Sequence, residues 1–297
     1  MQRFSIIVTV TALLIGVPAP AHAWGFAAHK FIMERAIALL PPELRPLFEK
    51  NRATLIERAV DPDTWRTAGF EKEPPNHFLD LDWEGYGKYP FNALPRDYAA
   101  AVAKFGRERV DENGTLPWRV EEKFGDLRRA FESFARRSAF AQTDVIFNAA
   151  WLAHYVSDAH VPLHGAVNYD GQLTMQWGVH SRWETTMFER FQPQLTIAPK
   201  PMAPIRDPRA FAFDRLLEDT QLVPALLKSD AEAIGNRDVY DDAYYAAFFA
   251  SNRAVMERRL NESISAVAAI ITGAWEAAGK PNVTLEGSTA PQRRRRQ

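Results

Sequence analysis

The sequence predicts an all-α fold in a single domain, on three observations. It is rich in Ala, Leu, Glu and Arg, residues that lose little side-chain freedom in a helix. Apolar residues recur at helical spacing early in the chain, over 27–40, and long clean strands are not apparent. At 297 residues, without an internal repeat or a low-complexity linker, the chain can bury one full core. Its net charge of −1 provides no general attraction to nucleic acid or anionic lipid.

The elements follow in order. Arg3 precedes an apolar stretch, residues 4–17, and then Ala21-His22-Ala23, which has the A-x-A pattern of a signal-peptidase site. Residues 1–23 therefore read as a signal peptide, with cleavage after Ala23 leaving Trp24 as the new amino terminus. The apolar stretch is too short to span a bilayer comfortably, so no permanent membrane anchor is expected. A secreted or periplasmic location follows. The chain has no cysteine, so once exported it relies on its core or on bound metal rather than on disulfides.

A helix is expected over 27–40, with Phe31, Ile32, Ala36 and Leu39 near 3.6 spacing and Pro41-Pro42 closing it. A second is expected over 43–59. Residues 61–95, rich in Pro, Gly, Asp and aromatics, read as a long functional loop. Helices are expected over 97–106, 118–138 and 141–159, then an irregular stretch over 161–177 and a helix over 179–191. A proline-rich connector, 193–208, leads to two or more helices filling 208–278. From 279 to 297 the chain reads as a disordered tail ending in the basic run 293–296.

Seven histidines are present: His22 leaves with the signal peptide, and His154, His160, His164 and His180 fall close together among carboxylates. His154 and Asp158 are four residues apart, as are His180 and Glu184, which puts each pair on one helix face within reach of a single metal ion. Pro162 stops the first of these helices and turns His164 back towards it. Imidazole and carboxylate without thiolate suit a catalytic zinc site with an open position. One such pair is commonly a salt bridge, whereas the whole set H-Y-V-S-D-A-H-V-P-L-H followed by H-S-R-W-E is not.

These residues resemble a known superfamily, the zinc-dependent phospholipases C and the single-strand-specific nucleases called S-one and P-one. Its pattern is an N-terminal Trp, H-x3-D-x5-H, then H-x3-(D/E), and it is matched by Trp24, by His154, Asp158 and His164, and by His180 and Glu184. The resemblance runs from Trp24 to about Glu184. It implies a helical catalytic domain over 24–278 with a trinuclear zinc site between helices.

In that scheme one zinc takes a loop Asp, His77, His154 and Asp158. A second takes His164, His180 and Glu184 with a bridging hydroxide. The third takes the amino nitrogen and carbonyl oxygen of Trp24, His29, and Asp158 as a bridge. The loop Asp is Asp63 or Asp61; spacing to His77 and a D-x-x-R match to Arg66 favour Asp63, which would also orient or accept a proton from the attacking water. Arg66 would hold the substrate phosphate. His160 is expected at the pocket rim or in the core rather than on a metal. Asn76, Asp80 and Asp82 lie close in sequence as possible supporters of the ligands.

The resemblance implies a phosphodiester substrate. Glu184 and the short gap between His164 and His180 are phospholipase-like. Arg66 and the step from Trp24 to His29 are nuclease-like. The reading leans to a phospholipid over single-stranded DNA or RNA, with a non-catalytic zinc- or lipid-binding exported protein as the third possibility. Trp65, Phe70, Tyr86, Tyr89 and Trp177 could serve bases, acyl chains or the core. Nothing in the sequence calls for an obligate protein partner.

Overall fold

The deepest part of the core is built on an uninterrupted helix. The segment A-Q-T-D-V-I-F-N-A-A-W-L-A-H-Y-V-S-D has no Gly or Pro, and it forms a continuous helix whose last residues, from Leu152 on, are all buried. A helix buried all round can only be central, and the rest of the chain is wrapped on it.

The computed structural model describes residues 24–283, so the expected signal peptide and the terminal arginine run lie outside the described residues. Among them every regular element is helical. The first half comprises α1 (Phe26–Ile37), α2 (Arg45–Lys50), α3 (Arg52–Arg58), α4 (Asp61–Thr67), α5 (Tyr98–Phe105), α6 (Arg107–Glu112), α7 (Leu116–Ala135) and α8 (Ala141–Asp158). Then come α9 (Val179–Ser181), a π-helical turn (Arg182–Met187), α10 (Phe188–Phe191), α11 (Pro208–Thr220), α12 (Val223–Ile234) and α13 (Asp242–Ala277). Helix α8 packs most extensively on α7, and α1, α3 and α13 cover its other sides. No helix among the described residues is long and apolar enough to cross a membrane.

Several boundaries differ from the sequence reading, each for a local reason. The irregular region expected from 61 begins with α4. Asp61 and Asp63 sit in its first turn and Pro62 at its start, where a proline favours a helix rather than breaking it. The helix expected over 43–59 is split at Asn51, whose side chain donates to the Leu47 carbonyl. Gly106, at φ 82°, separates α5 from an unexpected α6. The helix expected over 179–191 widens into the π turn that carries Glu184. The expected end of the domain at 278 also moves. The Trp275 indole donates to the Pro281 carbonyl at 2.9 Å and Val283 is buried, so the packed chain continues to the last described residue.

Helix α13 spans 36 residues, and the connector before α11 is strapped along it: the Ile205 amide donates to the Ala269 carbonyl at 3.1 Å. A Cβ at Gly273 would lie 1.9 Å from the Ile205 carbonyl oxygen, a backbone atom that cannot swing aside. Helix propensity alone would favour Gly273→Ala by about 1 kcal/mol, but overpacking costs about 1–3 kcal/mol. Because the clashing atom is backbone, the cost falls at the upper end of that range, and about 3 less about 1 leaves an expected net loss of about 2 kcal/mol in urea denaturation. An unchanged or raised midpoint would show that the connector is not pinned there.

Candidate metal centre

The site is assembled around Asp158, the last residue of α8. Four separate segments bring histidines to it. His154 comes one turn earlier on α8, His29 from α1, His77 from a short 3-10 turn (Pro74–His77), and His164 from another (Pro162–Gly165). The second turn exists because Val161, held extended before Pro162, ends the helical path and reverses the chain.

The two oxygens of Asp158 face different partners. Oδ2 lies 3.0 Å from His77 Nδ1 and 3.3 Å from His154 Nε2. Oδ1 lies 3.3 Å from His29 Nε2 and 4.0 Å from His164 Nδ1. Asp63 Oδ1 completes the first group, 3.8 Å from His77 Nδ1 and 4.0 Å from His154 Nε2. Ligands held tetrahedrally at 2.0–2.1 Å from zinc would be about 3.3 Å apart, close to these separations. Three buried groups could each hold a metal ion: Asp63, His77 and His154; His29, His154 and Asp158; and His164, His180 and Glu184. In the last, His180 Nε2 lies 2.9 Å from Glu184 Oε2 and 3.0 Å from His164 Nε2.

The protons are arranged for a cation. His154 Nδ1–H donates to the Ala59 carbonyl at 2.8 Å, which leaves the Nε2 lone pair facing the centre. His77 Nε2 faces Glu73 Oε1 at 3.4 Å, so its Nδ1 is turned inward, 3.1 Å from His154 Nε2. Both oxygens of Asp63 and of Glu184, and both ring nitrogens of His29, are buried without a hydrogen-bond partner. Burial without a partner is costly for such groups, and metal ions in the three groups would satisfy the carboxylate oxygens and one nitrogen of His29.

Burial and neighbours set the charges. Burial pushes the Asp158 carboxyl upward, but His154, His29 and His77 outweigh it and hold the group well below the usual range. Burial lowers His77, yet hydrogen bonding to Asp158 and Glu73 prevails and raises it to about 9. Burial lowers His29 and His164, brings His180 down to about 4, and pushes Glu184 up to about 8.

Of the remaining sequence candidates, Arg66 adjoins this centre through Asp63, while Asp61 and His160 do not meet it. Trp24 is fully buried, its indole donates to the Ser157 carbonyl at 2.9 Å, and its ring packs 5.1 Å from that of Trp183. Its neighbour Gly25 leaves no room for a Cβ, which would lie 2.6 Å from Thr185 Oγ1. Residues 24–25 are thus wedged between the end of α8 and the π turn that carries Glu184. Arg66, one turn after Asp63 on α4, places Nη2 3.6 Å from Asp63 Oδ1 with its side chain 18% exposed. Asp61, the alternative to Asp63, is not brought to the centre: Oδ2 accepts from the Trp151 indole at 2.9 Å and Oδ1 lies 3.5 Å from Arg58. His160 is fully buried, donates from Nδ1 to the Val156 carbonyl, and stands 5.9 Å from the Phe211 ring, a core position rather than the rim.

The supporting carboxylate near His77 is Glu73, which the sequence reading passed over. Its oxygens also meet the Tyr155 hydroxyl, Arg119 Nη2 at 3.3 Å and Asn76 Nδ2 at 3.2 Å. The four-residue spacing of Glu73 and His77 was visible, but Pro74-Pro75 between them disguised a helical turn. Of the other candidates, Asp82 accepts from the Val167 amide, and Asp80 is pushed up to about 7 by burial and Asp82. Among the aromatics, Tyr86 is core, Trp65 meets Trp151 edge-on, and Phe70, Tyr89 and Trp177 are exposed.

No family model matches the chain, and no curated protein matches it.

Two outcomes follow. Replacing Glu73 by Gln removes the charge that orients His77, so metal affinity should fall about 10–100-fold in competition with a chelating dye. Equal affinity would reduce Glu73 to a packing role. The second concerns protons. In metal-free protein His77 (about 9) and Glu184 (about 8) are both protonated at neutral pH, and a metal ligand must give its proton up. Metal binding near pH 7 should therefore release about two protons per molecule from these two groups, over and above any from a coordinated amine or water. The release should fade as the pH rises through the two values, as an indicator dye in weak buffer would show. Binding without acidification at neutral pH would contradict these proton positions.

Proposed function

We propose that this protein is an exported zinc-dependent phosphodiester hydrolase with a trinuclear centre, acting on phospholipid head groups in the manner of a phospholipase C. One observation carries the reading. Asp158 turns its two oxygens towards different histidine pairs while His164, His180 and Glu184 form a further buried group beside it. That arrangement is suited to neighbouring cations sharing a carboxylate, which structural zinc sites seldom need.

The donor set, histidine and carboxylate without thiolate, fits zinc in a hydrolytic role. One group would comprise Asp63, His77, His154 and Asp158, the second His164, His180 and Glu184. The third would comprise His29, Asp158 and the amino nitrogen and carbonyl oxygen of Trp24. Bound zinc would supply Lewis acidity and bring the pKa of a bound water down to about 7. Asp63, buried with unpartnered oxygens, would orient that water and accept its proton. Arg66, at the partly exposed edge beside Asp63, would hold non-bridging phosphoryl oxygens. Glu73 and the Ala59 carbonyl would keep His77 and His154 in the tautomers that face the centre.

A terminal amine has a pKa near 8 and is readily deprotonated on a metal, so cleavage before Trp24 would complete the site. The second reading is a single-strand-specific nuclease, favoured by Arg66 beside Asp63. One experiment compares protein beginning at Trp24 with a form carrying extra residues before it, each with and without chelator. Chelator-sensitive release of phosphocholine from lecithin by the processed form alone is the expected outcome. Acid-soluble nucleotides from single-stranded DNA would move the assignment to the nuclease. Bound zinc without turnover on either substrate would leave a binding protein, and equal activity in the extended form would remove the amine from the site.

A further inference from the structure

We infer that the loop leading into His180 is a lipid-docking surface that seats the metal centre on a zwitterionic membrane interface. The inference deepens the phospholipid reading above and rests on it. Its carrying observation is a reversed pattern of side chains. Along Gln172-Leu173-Thr174-Met175-Gln176-Trp177 the three apolar residues point outward, with Leu173 68%, Met175 87% and Trp177 63% exposed. The two glutamines turn inward. Gln172 Nε2 donates to the Val167 carbonyl, and Gln176 Nε2 donates to the Leu227 carbonyl at 2.6 Å and to Asp230 Oδ2 at 2.8 Å.

Ordinary folding places apolar groups inside and amides outside, so three exposed apolar residues on a closely bonded loop, with Thr174 exposed between two of them, call for a partner. The loop is held in that presentation. Asn168 Oδ1 accepts from the Leu173 amide at 2.8 Å, and Met175 itself adopts φ 62°, a left-handed conformation that costs energy outside glycine. Arg182, buried in the π turn, donates to the carbonyls of Gln176 and Trp177 and pairs with Asp230 at 3.0 Å. The same guanidinium lies 3.9 Å from the ring of Tyr240, which brings the exposed Val239-Tyr240 turn beside the loop.

The chemistry selects the occupant. Residues 166–178 contain no Lys or Arg and one acidic residue, Asp170, so the loop offers nothing to a phosphate backbone or an anionic leaflet. Leu and Met cannot stack on bases but do enter the acyl boundary, and Trp settles at the head-group level. The position is also apt. Tyr169 lies 6.0 Å ring to ring from His180, and Asp170 Oδ1 accepts from the His180 amide at 3.3 Å. A membrane touching the loop would therefore deliver its head groups beside the metal-ligating groups.

The test measures vesicle binding apart from catalysis. Mature protein is sedimented with phosphatidylcholine vesicles before turnover is appreciable, and turnover is read separately on dispersed short-chain lecithin. We expect binding to neutral vesicles, little gain with phosphatidylserine, and at least about tenfold weaker partitioning for Leu173→Ser/Met175→Ser. Unchanged zinc content and melting midpoint would show that variant folded. A second variant, Thr174→Trp, should bind more tightly, so the proposal does not rest on loss alone. Failure of the wild type to sediment, or equal partitioning of all three proteins, would overturn it. Sedimentation without head-group release from either form of lecithin would leave the docking surface standing and remove the phospholipase reading. Single-stranded oligonucleotide binding or self-association that these substitutions abolish, with no vesicle binding, would assign the loop to that partner instead.

Discussion

A carboxylate at the carboxyl end of a helix, sealed from water, is the constraint around which this fold is arranged. Asp158 stands at the negative pole of α8, where an anion is disfavoured, and burial adds a further desolvation cost of several kcal/mol. Positive or proton-donating groups must surround it, and four histidines from four segments do so. The balance is clear in direction. Burial pushes its carboxyl upward, and the imidazoles overcome that and hold it low. Coiling α1 against α8 and returning the chain at Pro162 both serve this convergence.

The remote helices then have a mechanical role. Helices α7 and α13 bury the faces of α8 that the histidine segments leave open, so α8 cannot tilt without disturbing a large apolar contact. Ligand spacings of 3–4 Å tolerate little error, and a rigid helix end sets them better than a loop would. The π turn extends the same logic. Its wider helix places Trp183 against Trp24 on one side while Glu184 faces His180 and His164 on another.

Much of this was legible in the sequence, and the misses have physical causes. His154 with Asp158 and His180 with Glu184 declared themselves because four-residue spacing means one face in any helix-like path. Asp61 and Asp63 are two residues apart, and about 200° of helical rotation sends them to opposite sides. Choosing between them from residues alone required knowing the phase of α4, and D-P-D-T-W-R has too few apolar residues to reveal it. Glu73 escaped for the converse reason: two prolines suggested an extended segment where a 3-10 turn lies. The outward presentation of Leu173 and Met175 was likewise hidden, because an irregular loop has no period that says which side chains face inward. The inward hydrogen bonds of Gln172 and Gln176 set the presentation, and they reach residues 5 and 51 positions away.

The short run 176–184 joins what would otherwise be two unrelated features. Gln176 and Arg182 fix the apolar loop through Asp230, while His180 and Glu184, interleaved with them, belong to a buried group that could hold a metal ion. Arg182 is buried between two carbonyls, a carboxylate and two aromatic rings, so it cannot relax without releasing both the loop and the π turn. Trp177 and His180 are therefore tied to one short segment, joined through Gly178 at φ 83° and braced by Arg182. The outer loop and the candidate ligands thus share one anchor, the contacts of Arg182 and Gln176 with Asp230. For a centre whose donor atoms must meet within a few tenths of an ångström, contact with a surface can then orient the site without distorting it.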